Sequence, residues 1–226
     1  KEIIDLGIEM NERGDRALSY LYCVESVCPE CGWKVPLLPS LVVGIRAGKV
    51  VVDLIEEPQN KRYNFKIRSG VTAKDISAAQ ANGTVRNNAM SCPHCGKSTP
   101  ISALRHDTTD ENGNTVYGLR LWNEAEFEPR TDDIFTERLY AVRYEHIDVL
   151  PNGKTKSTRY YIEPGERENK NEEKIRDNVR DNFVSWQEQG FVPSMPIEEG
   201  METARLMRER GWKYWHQLFN PRQLLL

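Results

Sequence analysis

The sequence predicts an α+β chain, with a β-rich N-terminal two-thirds of antiparallel hairpins (1–168) and a helical C-terminal third (169–226). Three observations predict it. A cysteine pentapeptide occurs twice in the first hundred residues. Short runs rich in β-branched and aromatic residues alternate with turn signals up to about Ile162. From Asn169 onward, apolar residues recur every three or four positions in a strongly charged background. Composition bounds the rest. The 226 residues are 38% hydrophobic and 29% charged, with a mean hydropathy of -0.65. A core drawn from this chain is thin, and a staple would help it. Lys plus Arg number 31 against 34 Asp plus Glu, a net charge of -3. That excludes a globally basic nucleic-acid binder and leaves room only for a local basic stripe. No apolar run approaches the roughly 18 residues of a membrane helix, and no basic-then-apolar leader is visible. The expectation is a cytoplasmic chain with no membrane partner.

The two pentapeptides are Cys28-Pro29-Glu30-Cys31-Gly32 and Cys92-Pro93-His94-Cys95-Gly96. Two intervening residues let both thiolates of a pair turn toward one ion. Pro presets the bend, and the Gly after the second Cys tolerates the positive φ that aims backbone N–H groups at sulfur. Together the pairs offer Cys28, Cys31, Cys92 and Cys95, the tetrahedral sulfur set of closed structural Zn²⁺ sites. Iron suits the same cage, and spacing alone leaves the two metals open. A disulfide framework fits poorly without an export signal, and a redox pair would need only one such motif. The fifth cysteine, Cys23, sits in the apolar stretch Leu21-Tyr22-Cys23-Val24 and is read as a buried, inert thiol. His94 is read as a solvent-facing spacer, because four thiolates already satisfy an ion.

Sixty residues (32–91) separate the knuckles. Lys49–Ile55 is rich in β-branched residues and reads as a strand. Arg62–Arg68 alternates polar with apolar and reads as a half-buried strand. Residues 71–84 are a short helix or a loop leading to the second knuckle. This organisation is a zinc ribbon with an inserted hairpin. Ile101–Arg105 is read as strand, residues 107–114 as a turn cluster, and Val116–Trp122 as a returning strand. Arg138–Tyr144 and Ser157–Ile162 flank Asn152-Gly153, a strong hairpin signal. A helix then runs from Asn169 to about Gln189 with Ile175, Val179, Phe183 and Trp186 on one stripe. A second spans Ile197–Arg210 and stops at Gly211. The aromatic residues beyond it are read as a packing face rather than a stacking platform for bases. Asn220-Pro221 pairs a favoured N-cap with a favoured first helical residue, so the C-terminus reads as a helix opening and then cut short. With Lys1 in place of an initiating Met, the expectation is a fragment of a larger protein.

Enzyme signatures are missing. No two glycines are separated by a single residue, so there is no G-x-G loop, and His94, His106, His146 and His216 are dispersed. One local feature suits nucleic acid. Lys61, Arg62, Lys66 and Arg68 carry four positive charges with no intervening acid, and strand geometry puts Arg62, Lys66 and Arg68 on one face with Tyr63, Phe65 and Ile67 on the other. An ordinary solvated strand face reads equally well from the same residues. Arg205, Arg208, Arg210 and Lys213 form a second, more diluted group.

Several stretches together carry a resemblance. They are Leu21-Tyr22-Cys23 before the first knuckle, Val35–Ser40 after it, the second knuckle followed by Gly118-Leu119, Arg159-Tyr160-Tyr161, and the ending Trp212–Leu225 with its Leu218-Phe219-Asn220-Pro221-Arg222-Gln223-Leu224-Leu225 run. In this order they resemble the middle, zinc-ribbon segment of adenine-specific DNA methylases of the DUF1156 type, some of which belong to anti-phage defence. The resemblance implies a parent that transfers a methyl group from S-adenosylmethionine to adenine N6. It also implies DNA and the remaining methyltransferase domain as partners. The parent's Phe-x-Gly-x-Gly loop and its Asp/Asn-Pro-Pro-Tyr tetrapeptide have no counterpart here, since Asn220-Pro221 is followed by Arg222. Only the metal ligands carry over, and no catalytic residue is assigned. The alternative is a structural or protein-interaction zinc module that docks on its parent or on a partner protein.

Overall fold

A computed structural model of the chain describes Ile3 and residues 6–46 and 48–226. In chain order its elements are β1 (Arg16–Val27), β2 (Lys34–Leu37), β3 (Val42–Gly44), β4 (Val50–Glu57), β5 (Arg62–Ser69), α1 (Ala73–Ala81), β6 (Val85–Arg86), β7 (Ala89–Ser91), β8 (Ser98–Pro100), α2 (Ile101–Leu104), β9 (Thr108–Thr109), β10 (Thr115–Val116), β11 (Thr136–Val149), β12 (Thr155–Ile162), α3 (Glu166–Glu188), α4 (Ala204–Arg210) and α5 (Pro221–Leu224). The fold is α+β. Two compact units divide it, Gly7–Pro100 with Phe135–Glu166, and Ile101–Ile134 with Arg167–Leu226. Residues 101–134, read from sequence with the β-rich part, therefore group with the C-terminal helices.

The first unit is built on a seven-stranded sheet ordered β12-β11-β1-β2-β5-β4-β3. Both expected hairpins are present. β4 and β5 pair from Val50↔Ser69 to Glu57↔Arg62, turning through a 3₁₀ segment at Pro58–Asn60. β11 and β12 pair from Val142↔Ile162 to Val149↔Thr155 around Asn152-Gly153. In β5 the alternation holds, with Tyr63 buried, Phe65 and Ile67 half-buried, and Arg62, Asn64, Lys66 and Arg68 exposed. One core cluster gathers Cys23, Leu38 and Val52 with Leu54, Phe65, Ile67 and Tyr140 around them. Burial pushes the Cys23 thiol far up, as an inert core residue requires. The sheet curls until its edges meet. The Tyr161 ring of β12 lies 3.2 Å from where a Cβ on Gly44 of β3 would stand, and the Glu163 carboxylate accepts the Ile67 N–H at 3.1 Å.

Residues 71–84, helix or loop by sequence, resolve as α1. Thr72 caps it, accepting the Asp75 N–H at 3.2 Å while the Asp75 carboxylate accepts the Thr72 N–H at 2.8 Å. α1 leads into a second, three-stranded sheet, β6-β7-β8.

In the second unit, α3 buries Ile175, Val179, Phe183 and Trp186, the stripe expected from spacing. Phe183 packs on Phe127 at 5.2 Å between ring centroids and edge-on against His216 at 5.1 Å. His216 is fully buried, its ring nitrogens facing the carbonyls of Pro193 (3.1 Å) and Glu126 (3.2 Å), and burial lowers its pKa. Asn220 caps α5 in a reciprocal box with Gln223.

Three local expectations are corrected. Ile101–Arg105 is not a strand; α2 starts directly after Pro100, and the Arg105 N–H reaches the Ile101 carbonyl at 3.0 Å. Ser102 and Ala103 have no β preference to oppose the helix. Val116–Trp122 does not return as a strand beyond Val116, because its backbone finds other partners. The Gly118 N–H goes to the Asp107 carboxylate at 3.1 Å and the Trp122 N–H to the Gly211 carbonyl at 2.8 Å. Arg120 forks onto Asp133 at 2.6 Å and also reaches Glu126. The second C-terminal helix starts at Ala204 rather than Ile197, whose N–H is taken by the Lys213 carbonyl at 2.7 Å. Its end is as expected, with Gly211 left-handed at φ 76.

Candidate metal centre

Each pentapeptide is the turn between two antiparallel strands. β1 runs into Cys28 and β2 leaves after Trp33; β7 runs into Cys92 and β8 leaves after Lys97. The two turns are built alike. Cys28 N–H donates to the Trp33 carbonyl and Gly32 N–H to the Cys28 carbonyl, both at 2.8 Å. In the second, Cys92 N–H donates to Lys97 and Gly96 N–H to Cys92, both at 2.9 Å. Gly32 and Gly96 sit at φ 74 and 71, the left-handed conformation that the pentapeptide needs at that position. As a result, backbone N–H groups face sulfur: Trp33 toward Cys31, Lys97 toward Cys95, and His94 and Cys95 toward Cys92.

The four sulfurs converge. Cys28 and Cys95 Sγ are 3.8 Å apart, Cys31 and Cys92 Sγ 3.7 Å, and all four lie within 4.8 Å of one another. A regular tetrahedron with metal–sulfur bonds of about 2.3 Å has edges of about 3.8 Å. The cysteines can therefore hold one metal ion, and the set is compatible with structural zinc. Cys28 and Cys92 are buried, while Cys31 and Cys95 are half-buried. Burial pushes Cys92 up to about 12 and also raises Cys31, whereas the Lys97 N–H draws Cys95 down. Four thiolates do not share so small a volume without a cation to balance them, so ion binding and proton release are coupled here.

Residues outside the pentapeptides brace the centre. The Thr84 side chain is buried against the end of β2: its hydroxyl donates to the Pro36 carbonyl and accepts the Leu38 N–H, while its own backbone carbonyl accepts the Ser91 N–H of the strand entering the second turn at 2.7 Å. The Trp33 ring stacks on His94 with centroids 4.1 Å apart and planes 15° apart, and it meets Tyr63 at 5.3 Å on another side. His94 Nδ1 lies 3.0 Å from Glu56 Oε1. His94 is exposed, as expected, but not a mere spacer; it ties the second turn to the first and to β4. Trp33, Glu56 and Thr84 escaped the sequence reading, and Tyr63 was read only as an inward-facing strand residue, because the partners that matter lie far apart in the chain: Trp33 meets His94, Glu56 meets His94, and Thr84 meets Leu38.

The basic residues separate into two groups. Arg62, Lys66 and Arg68 share the exposed face of β5, but Arg62 Nε pairs with Glu57 at 2.6 Å, Arg68 pairs with Asp53, and Lys66 stands opposite Asp53 in register. Lys61 leaves that face. It takes a left-handed turn position (φ 47), with its Nζ near Gly32 of the first knuckle. In the second group, the Arg208 guanidinium lies over the Tyr117 ring and that of Arg210 over the Trp212 ring. Comparison with protein-family models, curated proteins and solved structures gives no match. No helix among the described residues is long and apolar enough to cross a membrane.

Proposed function

We propose that the chain is a structural zinc-ribbon module, the non-catalytic middle segment of an adenine-specific DNA methyltransferase of the DUF1156 type, where it aids recognition of DNA. The observation that carries the zinc reading is the convergence of four sulfurs from two turns with the same hydrogen-bond pattern. The methyltransferase reading rests on the sequence resemblance, and S-adenosylmethionine would bind elsewhere in that parent. In this reading zinc replaces apolar core that the composition does not supply. Elemental analysis tests the first part: one zinc per chain is expected, and iron or no metal at all refutes it. For DNA, the chain is titrated with duplex at low and moderate salt, beside a variant in which Lys61, Arg62, Lys66 and Arg68 are all Gln. Salt-sensitive binding lost in the variant supports recognition.

A second reading has an observation of its own. The ion pairs Arg62–Glu57 and Arg68–Asp53 spend two of the four cationic groups of the basic stripe within the chain. This favours a module that docks on the rest of its parent or on a partner protein. Binding to the separately produced methyltransferase domain, with no binding to duplex at any salt, selects this reading over the first.

A further inference from the structure

The second unit carries a surface that neither the metal centre nor the β5 stripe uses, built from two segments far apart in the chain. The Gly211 carbonyl, just past α4, accepts the Trp122 N–H at 2.8 Å, and a Cβ on Gly211 would stand 2.2 Å from the Arg120 carbonyl oxygen. Only glycine allows so close an approach at the left-handed φ of 76. The approach lays residues 117–122 against the end of α4. There the Arg208 guanidinium carbon stands 5.5 Å from the centroid of the Tyr117 ring, over its face. That of Arg210 is 5.7 Å from the Trp212 ring, and that of Arg120 is 5.8 Å from the Trp122 ring.

The three guanidinium groups differ in what their N–H donors meet. Arg120 is engaged within the chain, by Asp133 and Glu126. Arg208 and Arg210 are exposed, as are Arg205 and Lys213, and no carboxylate of the described residues stands within ion-pair distance of any of the four. Glu202 and Glu209 lie on the same stretch and leave them unpaired. Residues 201–213 thus hold four cations against two acids, in a chain whose net charge is -3. A guanidinium held flat on a ring has given up rotational freedom before any ligand arrives, while the N–H groups at its edge stay open. Such an edge takes an oxyanion in bidentate fashion, and phosphate fits it. Each ring already has a guanidinium over one face, so the pairs offer donors and not a bare platform for bases.

We propose that Arg208 and Arg210, held on Tyr117 and Trp212, contact the phosphodiester backbone of a nucleic acid; the partner class rests on the DNA reading above, the residues do not. On β5 a phosphate has to displace Glu57 from Arg62 and Asp53 from Arg68. On α4 it displaces water. Contacts of this kind position a nucleic acid without reading its sequence.

The test measures binding of the full chain to a labelled DNA duplex, and to a single strand of the same length, by fluorescence anisotropy across a salt series. Arg208→Gln combined with Arg210→Gln is expected to weaken binding and to lower the slope of log affinity against log salt by about two, whatever the sequence. Loss with either form supports the proposal, and the form bound more tightly names the source of the backbone. Tyr117→Leu keeps every charge; it should leave the slope unaltered and weaken binding about two- to fivefold, the scale of one exposed cation–π contact. An Arg208/Arg210 variant that keeps both affinity and slope overturns the proposal, as does polyglutamate bound as tightly as the duplex. A measurement on the unmutated chain covers a variant that does not fold: the Arg208 and Arg210 side-chain Nε–H signals should shift on titration with duplex, and unmoved signals overturn the site. Binding that vanishes only in the four-residue Gln variant of the basic stripe overturns this site and keeps the DNA reading. A chain that binds neither form at low salt defeats that reading itself.

Discussion

The Thr84 hydroxyl accepts the Leu38 amide N–H at 2.8 Å, and the Thr84 amide N–H returns to the Leu38 carbonyl at 2.7 Å. One fully buried residue thereby fastens the strand leaving the first knuckle to the segment that enters the second. Thr84→Val keeps the volume and leaves the Leu38 N–H without its partner. It is expected to cost about 1–3 kcal/mol in urea unfolding of the metal-loaded chain, the scale of one unsatisfied buried group. Thr84→Ser should recover most of it. An equally stable Val variant would show that the latch is dispensable.

Chelation should act on the centre first. Without an ion, Cys28→Ser, Cys92→Ser and excess chelator are all expected to release the turns together, because each ligand set is half of one tetrahedron. Hydrogen exchange reads this directly: the amides of Gly32 and Gly96, which close the two turns, should lose protection in all three cases. Persistent protection after verified metal loss would contradict a folding role for the ion.

A pH dependence follows from a network elsewhere on the sheet. The buried Asp15 carboxylate accepts from the Tyr160 hydroxyl and faces His146 Nδ1 at 2.6 Å, while His146 Nε2 faces Asp148 at 3.0 Å. The Tyr160 and His146 hydrogen bonds hold Asp15 below its ordinary value of 3.8, and Asp15 followed by Asp148 holds His146 above 6.5. The Asp15 contribution is present above 3.8 and is lost as pH falls through its lowered value. The His146 contribution is full below 6.5 and is lost as pH rises through its raised value. Stability should therefore decline on the alkaline side of 6.5. His146→Gln should flatten that decline in thermal melts across pH 6 to 9; an unaltered slope assigns the decline to other groups.

In the second unit the load falls on Phe183, which meets both Phe127 and His216. Phe183→Ala opens a cavity among these rings and is expected to cost about 3–5 kcal/mol. Phe183→Leu should cost clearly less. Thermal unfolding followed by near-ultraviolet circular dichroism distinguishes them, and a loss under about 1 kcal/mol for Ala would mean that the stripe is not the core.

Features readable in the sequence were those whose cause is local. The cysteine pairs, the alternation of Arg62 to Arg68, the apolar stripe from Ile175 to Trp186, the Gly211 stop and the Asn220-Pro221 start each follow from spacing within a few residues. The Thr72-x-x-Asp75 capping box was equally local and resolves the 71–84 ambiguity in favour of a helix. Residues 123–134 had no period to read, and the strand expected over Val116–Trp122 stops at Val116. Their order comes from Arg120, Asp133, Glu126 and the Gly211 carbonyl, partners up to ninety residues away.

By itself the sequence determined the donor set, since each Cys-Pro-x-Cys-Gly pentapeptide carries its own bend and its own positive-φ position. Only the tertiary structure decided that the two turns face each other. That required Thr84 to bridge them, Trp33 to stack on His94, and the β4–β5 hairpin to bring Glu56 and Tyr63 alongside. The physical reason is separation: closing a sixty-residue loop is a property of the contacts at its base, and those contacts exist only once the sheet has formed.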